Sequence, residues 1–254
     1  METKTKKFKR DILNWYNNNK RDYSWRETND PWKILLLETI SQQTQLDRAD
    51  TYFKLFIEEF PSPATMASSS LKKVLILWSG LGYNNRARRL YESSRILSEK
   101  GFDELYPNFE VLPGVGPYTN NAILSFAYGE KVITRDVNVD RVFSRYFGLN
   151  NVENFVHNNK QPLLNRVSSR DLNQAIMDFG SMVCKSKNPL CSTCVLEKNC
   201  EKNIVKIKKS KETFSGSNRE LRGALLKLLL NENIASLETI QKNLKTDKVK
   251  LLKA

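Results

Sequence analysis

The sequence has a single histidine, no cysteine outside one stretch of seventeen residues, and no apolar run near the roughly 18 residues of a membrane-spanning helix. Each scarcity excludes something. The one histidine, His157, lies in the polar segment VENFVHNNK and reads as a surface residue. That argues against catalysis built on a histidine base. Without an apolar span, no membrane partner is expected. The basic start METKTKKFKRDILNWY leads into neither an uninterrupted apolar region nor a small-residue cleavage site. A cytoplasmic protein with reduced thiols follows, and with a nucleic-acid partner it would be nucleoid-associated. Strand signals are few; KVITRDV is the best and it is short.

Acid is also in deficit. Against 41 Lys and Arg stand 28 Asp and Glu, a net charge of +13 over 254 residues. Such a surplus points to a polyanion, nucleic acid first, with a solvated basic surface as the plain alternative. Forty per cent hydrophobic residues suffice for one large core or two small ones.

What is present is helical periodicity. Apolar residues at three- and four-residue spacing mark helices near 6–19, 31–45, 48–60, 71–78, 85–100, 117–128, 138–147 and 170–183. Asn29 and Asp30 are capping candidates before Pro31. Gly and Pro punctuate at FPSP, SGLG, LPGVGP and AYGE. The fold class expected is all-α. After Cys200 a basic connector leads into short helical patterns like the start of a small winged-helix module, without the hairpin such a module needs.

Chemistry concentrates at four places. Cys184, Cys191, Cys194 and Cys200, separated by six, two and five residues, can close a soft metal centre. Structural zinc and an iron–sulfur cluster both suit four thiolates, and spacing alone does not choose. LPGVG at 112–116 puts Gly114 and Gly116 before a helix. Both permit positive φ and leave room for a phosphate at the helix N-terminus; a tight turn without a ligand is the other reading. In PWKILLLETISQQTQL, Glu38 is a lone carboxylate in an apolar helix, where desolvation would hold its proton near neutral pH. A solvent-facing or lysine-paired Glu38 is the alternative. Gln42, four residues on, would share its helix face, with Gln45 following. Asp136, flanked by apolar residues, can cap the helix at 138 with Asn138, or stay ionised for chemistry, or both. Two carboxyls in different protonation states are what N-glycosidic cleavage needs: one protonates the leaving base, the other stabilises the cationic sugar.

The cysteine spacing after LNQAIMDFGSMVC resembles the [4Fe-4S] loop of the endonuclease III and MutY DNA glycosylases, and LPGVG resembles their helix-hairpin-helix. The resemblance covers roughly residues 8–205. It implies a six-helix domain at 25–130, an iron–sulfur domain from 1–24 with 131–205, and a tail at 206–254. It implies a [4Fe-4S] cluster on the four cysteines, with Lys185, Lys187 and Lys198 facing phosphates. SWRETNDPWKILLLETISQQTQL is similar to the MutY segment bearing the catalytic Glu, implying Glu38, with Gln42 and Gln43 wedging into duplex DNA. GLGYNNRARRL implies an intercalating Tyr83, with Asn84 where the family has a second tyrosine. VITRDVNVDRV implies a catalytic Asp136, with Asp-Val-Asn where Asp-Gly-Asn is usual, so Asn138 joins the DNA contacts of Gly114, Val115 and Gly116. Arg21, Trp25, Arg26 and Gln174 would line an adenine pocket, although Tyr23-Ser24 replaces the usual Leu-Pro.

Endonuclease III relatives carry a lysine at the position of Tyr118, and that amine forms a Schiff base with the sugar. Tyr118 cannot, which implies base removal without strand cleavage. The expected function is a monomeric glycosylase removing adenine opposite guanine or 8-oxoguanine in mismatched double-stranded DNA. A thymine or uracil mismatch glycosylase, and a DNA-binding protein without catalysis, are the rivals. MutY proteins continue into a Nudix-like domain that the sequence does not enter. Lesion recognition is therefore expected to be weaker, differently arranged or absent.

Overall fold

The computed structural model describes residues 3–203, 217–231 and 237–244. Their regular structure is entirely helical. In chain order the helices are α1 (Lys4–Asn19), α2 (Pro31–Ser41), α3 (Leu46–Glu59), α4 (Pro63–Ala67), α5 (Leu71–Leu77), α6 (Asn85–Leu105), α7 (Pro117–Phe126), α8 (Val137–Phe147), α9 (Val152–Leu164), α10 (Ser169–Met182), α11 (Asn218–Asn231) and α12 (Leu237–Leu244). Among the described residues no helix is long and apolar enough to cross a membrane. The expected connector and much of the expected tail module lie outside the described residues; α11 and α12 are the parts within them.

Several elements depart from the sequence expectation, each for a local reason. KVITRDV forms no strand. Its backbone is satisfied by a side chain instead: Thr134 N donates to Asn173 Oδ1 at 3.0 Å, and Asn173 Nδ2 donates to Val132 O at 2.9 Å. Helix α4 arises inside the FPSP punctuation because Ser62 and Thr65 form a reciprocal capping box ahead of Pro63. Helix α9 arises in the polar segment holding His157, which is exposed. Only Val152, Leu163 and Leu164 of that helix are fully buried, so its apolar signal sits at its two ends. Helix α2 stops at Ser41 rather than near 45, and Gln43 follows in left-handed backbone at φ 56°. Gln42, Gln43 and Gln45 therefore leave the helix instead of continuing the face of Glu38.

The chain forms two compact units. Unit 1 comprises Met1–Glu38, Pro107–Glu110 and Val115–Ile207. Its core joins α1, α8, α9 and α10 through residues such as Phe8, Ile12, Phe143, Leu172 and Phe179. Phe8 packs its ring 5.0–5.5 Å from Phe143, Tyr146 and Phe147. Unit 2 comprises Thr39–Tyr106, Val111–Gly114 and Lys208–Ala254. There α6 runs along α4 and α5, and α11 meets α5. Phe56 meets Trp78 edge-on at 5.6 Å in its core.

Candidate active site

Helix α2 is apolar on nearly every side, and residues 34–40 are all buried. A helix of that pattern has no solvent face to give a charged residue. Asp30 starts it, its Oδ1 accepting from Trp32 N at 2.9 Å. Glu38 is consequently only 8 % exposed. Burial, opposed by a hydrogen bond from Tyr118 and reinforced by the charge of Asp136, pushes its carboxyl up to about 7. Tyr118, in the first turn of α7, is raised well above the ordinary phenol value, by burial first and then by the two carboxylates. Its hydroxyl is held as a neutral donor.

Asp136 is the N-cap of α8. Its Oδ1 accepts from Asn138 N at 2.9 Å and Val139 N at 2.7 Å, and its Oδ2 accepts from Asn138 Nδ2 at 2.8 Å. The cap leaves this carboxylate fixed and well supplied with donors. Helix α10 supports the arrangement from behind. A Cβ added at Gly180 would fall 2.7 Å from Asn138 Cβ, so only glycine lets the start of α8 approach α10 so closely. Val137, standing where the resemblance expects glycine, is 77 % exposed.

A second cluster brings together the four residues expected to line a base pocket. Arg26 Nη1 donates to Tyr16 Oη at 2.9 Å and Gln174 Oε1 at 3.0 Å, and Tyr16 Oη donates to the same Gln174 oxygen at 2.7 Å. Arg26 Nη2 and Arg21 Nη2 meet the two oxygens of Asp178 at 2.6 and 2.5 Å. The Arg26 guanidinium lies 5.3 Å from the Trp25 ring, which stacks on Tyr23 at 5.1 Å. The Trp25 indole N–H is buried without a hydrogen-bond partner. Asp178 and Tyr16 were not singled out from sequence. The spacing of Asp178, four residues beyond Gln174 on one helix, was the available signal.

The residues expected to wedge into DNA, Gln42, Gln43 and Tyr83, lie in unit 2, and those expected to form the hairpin lie in the segment leading into α7. Gln43 and Tyr83 both hold left-handed backbone, at φ 56° and 47°, and both are exposed. Buried Arg86, a residue the sequence reading passed over, holds their two loops. Its Nη1 donates to Thr39 O and Ile40 O, each at 3.0 Å, and to Gln42 O at 2.5 Å. Its Nη2 donates to Leu81 O at 3.3 Å and Gly82 O at 3.1 Å. Gly114 has the positive φ expected of it, 87°. Gly116 does not: it is extended at φ −112°, ψ −176° as the residue before α7, with open space where a Cβ would lie. Its contribution is that space, not left-handed backbone. Val115 is buried.

The four cysteines line one cavity of about 330 Å³, and none is in a disulfide. Arg141 Nε donates to Cys184 O at 2.7 Å, and Arg145 Nη1 to Lys185 O at 2.7 Å, fastening the loop to α8. Burial, with the other thiols adding to it, pushes Cys194 up to about 11. Among the described residues no three His, Cys, Asp or Glu side chains stand close enough together to hold a metal ion, although the four thiols line one space. Lys185, Lys187 and Lys198 are exposed around it.

Residues 37–161 match the family described as HhH-GPD superfamily base excision DNA repair protein. The chain is 34% identical over 203 residues to the adenine DNA glycosylase of Buchnera aphidicola subsp. Baizongia pistaciae, covering 76% of this chain and 58% of that protein. It spans about three fifths of that relative's length. To the adenine DNA glycosylase of Mycobacterium tuberculosis it is 32% identical over 234 residues, covering 86% of this chain and 77% of that one. Among solved structures, a thermostable thymine-DNA glycosylase superposes with a TM-score of 0.71 at 29% identity, covering 78% of this chain and 95% of the other. A trapped endonuclease III–DNA intermediate shares the fold at TM-score 0.64 and 22% identity, covering 80% and 97%.

The cluster around Asp178 yields a prediction. Asp178 is 1% exposed and Arg26 6%. Asp178→Asn leaves the Arg26 cation buried without its counter-charge. Loss of about 3–5 kcal/mol of stability is expected, read as a lowered urea-unfolding midpoint; an unchanged midpoint would refute it.

Proposed function

The chain belongs to the HhH-GPD superfamily of base excision DNA repair proteins, and we propose that it is an adenine DNA glycosylase that hydrolyses the N-glycosidic bond of adenine mispaired with guanine or 8-oxoguanine. The observation that carries the reading is the buried Glu38 carboxyl, raised to about 7, hydrogen-bonded to Tyr118 and beside Asp136. Protonated Glu38 delivers its proton to the leaving adenine as the C1′–N9 bond breaks and its electrons depart with the base. Asp136, fixed in place by its cap, stabilises the positive charge left on the sugar. Water adds at C1′ and gives up a proton to the Glu38 carboxylate, restoring the acid. Both acids lie in unit 1 with Tyr118.

The adenine assignment draws support from relatives named adenine DNA glycosylase and from the donors of the second cluster. With its carbonyl engaged by two donors, Gln174 has its amide N–H groups left for a base, beside the unpartnered Trp25 N–H and the Arg21 and Arg26 side chains. Gln42, Gln43 and Tyr83 enter the duplex. Gly114, Val115, Gly116 and Asn138 lie against its phosphates, a contact suited to the net charge of +13. The 0.71 match to a thymine-DNA glycosylase sustains one rival, removal of thymine opposite guanine.

We assign the four cysteines to a [4Fe-4S] cluster. When bound, the cluster supplies a rigid, charged centre that fixes the lysine-bearing loop; the cavity they share suits a multi-atom group. Purified protein is expected to be brown, with absorbance near 400 nm; a colourless protein carrying zinc would overturn the assignment.

Single-turnover excision on duplexes with A opposite 8-oxoguanine, A opposite G, and T opposite G tests the substrate. Excision from the first two only is expected; excision of thymine alone transfers the assignment to the rival. Glu38→Gln is expected to lose at least about 1000-fold in excision while still binding DNA, by removal of the proton donor. Because the working form of Glu38 is protonated and its folded pKa is raised to about 7, the wild-type rate should fall as pH rises through that value. A rate that climbs between pH 6 and 8 would contradict this role. With Tyr118 in place of an amine, borohydride should trap no covalent protein–DNA complex on the same duplexes, and efficient trapping would refute monofunctional chemistry.

A further inference from the structure

Val137, Asp140, Arg141 and Ser144 fall on one face of α8, and that face lines a groove of about 1010 Å³ in unit 1. The groove is mostly polar. Of its other apolar members, Val152 is buried and Leu149 partly buried, so Val137 is its one exposed apolar side chain. At 77 % it is also the most exposed large hydrophobic side chain among the described residues. The backbone does not ask for it. Residue 137 is helical, with no positive φ, and glycine is what the resemblance expects there. Nor does the core ask for it. Val139 is fully buried on the core side of α8, and Asn138 meets Gly180 of α10, which leaves Val137 on the open side. What lies beside it is Asp136. A Cα–Cβ bond in a helix leans toward the helix start, so the isopropyl group projects toward the end that the Asp136 carboxylate caps. Asp136 is itself partly exposed there.

A sugar whose positive charge is stabilised by Asp136 presents two ring atoms next to C1′. O4′ shares the charge as the glycosidic bond breaks, and a carboxylate is drawn to that side. C2′ is a methylene in deoxyribose and carries a hydroxyl in ribose. An exposed isopropyl group beside the carboxylate matches the methylene. Against it a hydroxyl would give up water and find no hydrogen-bond partner in return. We propose that Val137 packs on C2′ of the target nucleotide and selects deoxyribose over ribose. This rests on the glycosylase reading above and extends recognition from the base to the sugar. The selection has a ceiling, because an apolar contact rejects an added hydroxyl by about 100-fold at most.

The test is single-turnover excision by the full chain on two duplexes that differ only at the target. One carries deoxyadenosine and the other adenosine, each opposite 8-oxoguanine. A 2′-hydroxyl slows glycosidic cleavage by itself, since it withdraws electrons from the forming cation. The quantity read is therefore the change in the deoxy-to-ribo rate ratio between proteins. Each ratio is taken within one protein, so a loss of stability in a variant cancels. Val137→Gly is expected to lower the ratio about tenfold, and Val137→Ala to lower it by less. Val137→Thr keeps the shape but supplies a hydroxyl partner, and it should lower the ratio as well. Val137→Ile keeps the apolar wall and should not lower it. If wild type excises deoxyadenosine and the glycine and threonine variants keep its ratio, the sugar assignment falls and the glycosylase reading stands. If wild type excises adenine from neither duplex, the glycosylase reading fails and this inference falls with it.

Discussion

The constraint from which the chemistry follows is the burial of one carboxyl. Helix α2 is apolar on nearly all sides, so Glu38 is buried, and that burial pushes its carboxyl up to about 7. Asp136 differs in the number of donors around it rather than in residue type. Two backbone N–H groups and one side-chain amide satisfy its oxygens, whereas Glu38 has the Tyr118 phenol. The two carboxyls therefore sit in contrasting surroundings, one rich in donors and one poor.

Helix α10 keeps that difference in place, and it does so through polar side chains at successive turns. Asn173 holds the extended segment that delivers Asp136, Gln174 and Asp178 gather the two arginines, and Gly180 admits the start of α8. Arg170 extends the same support, donating to Arg26 O at 2.9 Å, to Thr28 O at 2.7 Å and to Phe126 O. These groups are costly to bury singly and tolerable only because each finds a partner. One helix therefore couples the segment before α2, the end of α7 and the start of α8. A slip of α10 along its axis would disturb every one of those contacts together.

Much of this was legible in the sequence where a pattern is local. Helical periodicity located α1 to α3, α5 to α8 and α10 to within a few residues, and the solitary acid in an apolar helix marked Glu38. Local patterns failed where a distant side chain decided the outcome. KVITRDV has strand composition, yet Asn173, some forty residues on, takes the place of a partner strand. Gln42 to Gln45 look like a continuing helix, yet the backbone turns left-handed at Gln43. Asp178 carries only its spacing from Gln174 as a local signal and Arg86 carries none; the partners of both lie in segments far away in the chain. Gly114 and Gly116 look alike in sequence, and only their dihedrals separate a left-handed turn from an extended helix entry.

Arg86 accounts for how two strained loop tips can persist. Left-handed backbone at a glutamine and a tyrosine costs energy that surrounding contacts must offset. The guanidinium offsets it by collecting carbonyls that the end of α2 leaves without helical partners, and those of the adjoining loop. Every carbonyl in that set belongs to the main chain, so the clamp does not depend on which side chains the tips carry. The Asn84 side chain is therefore no part of what holds the loops.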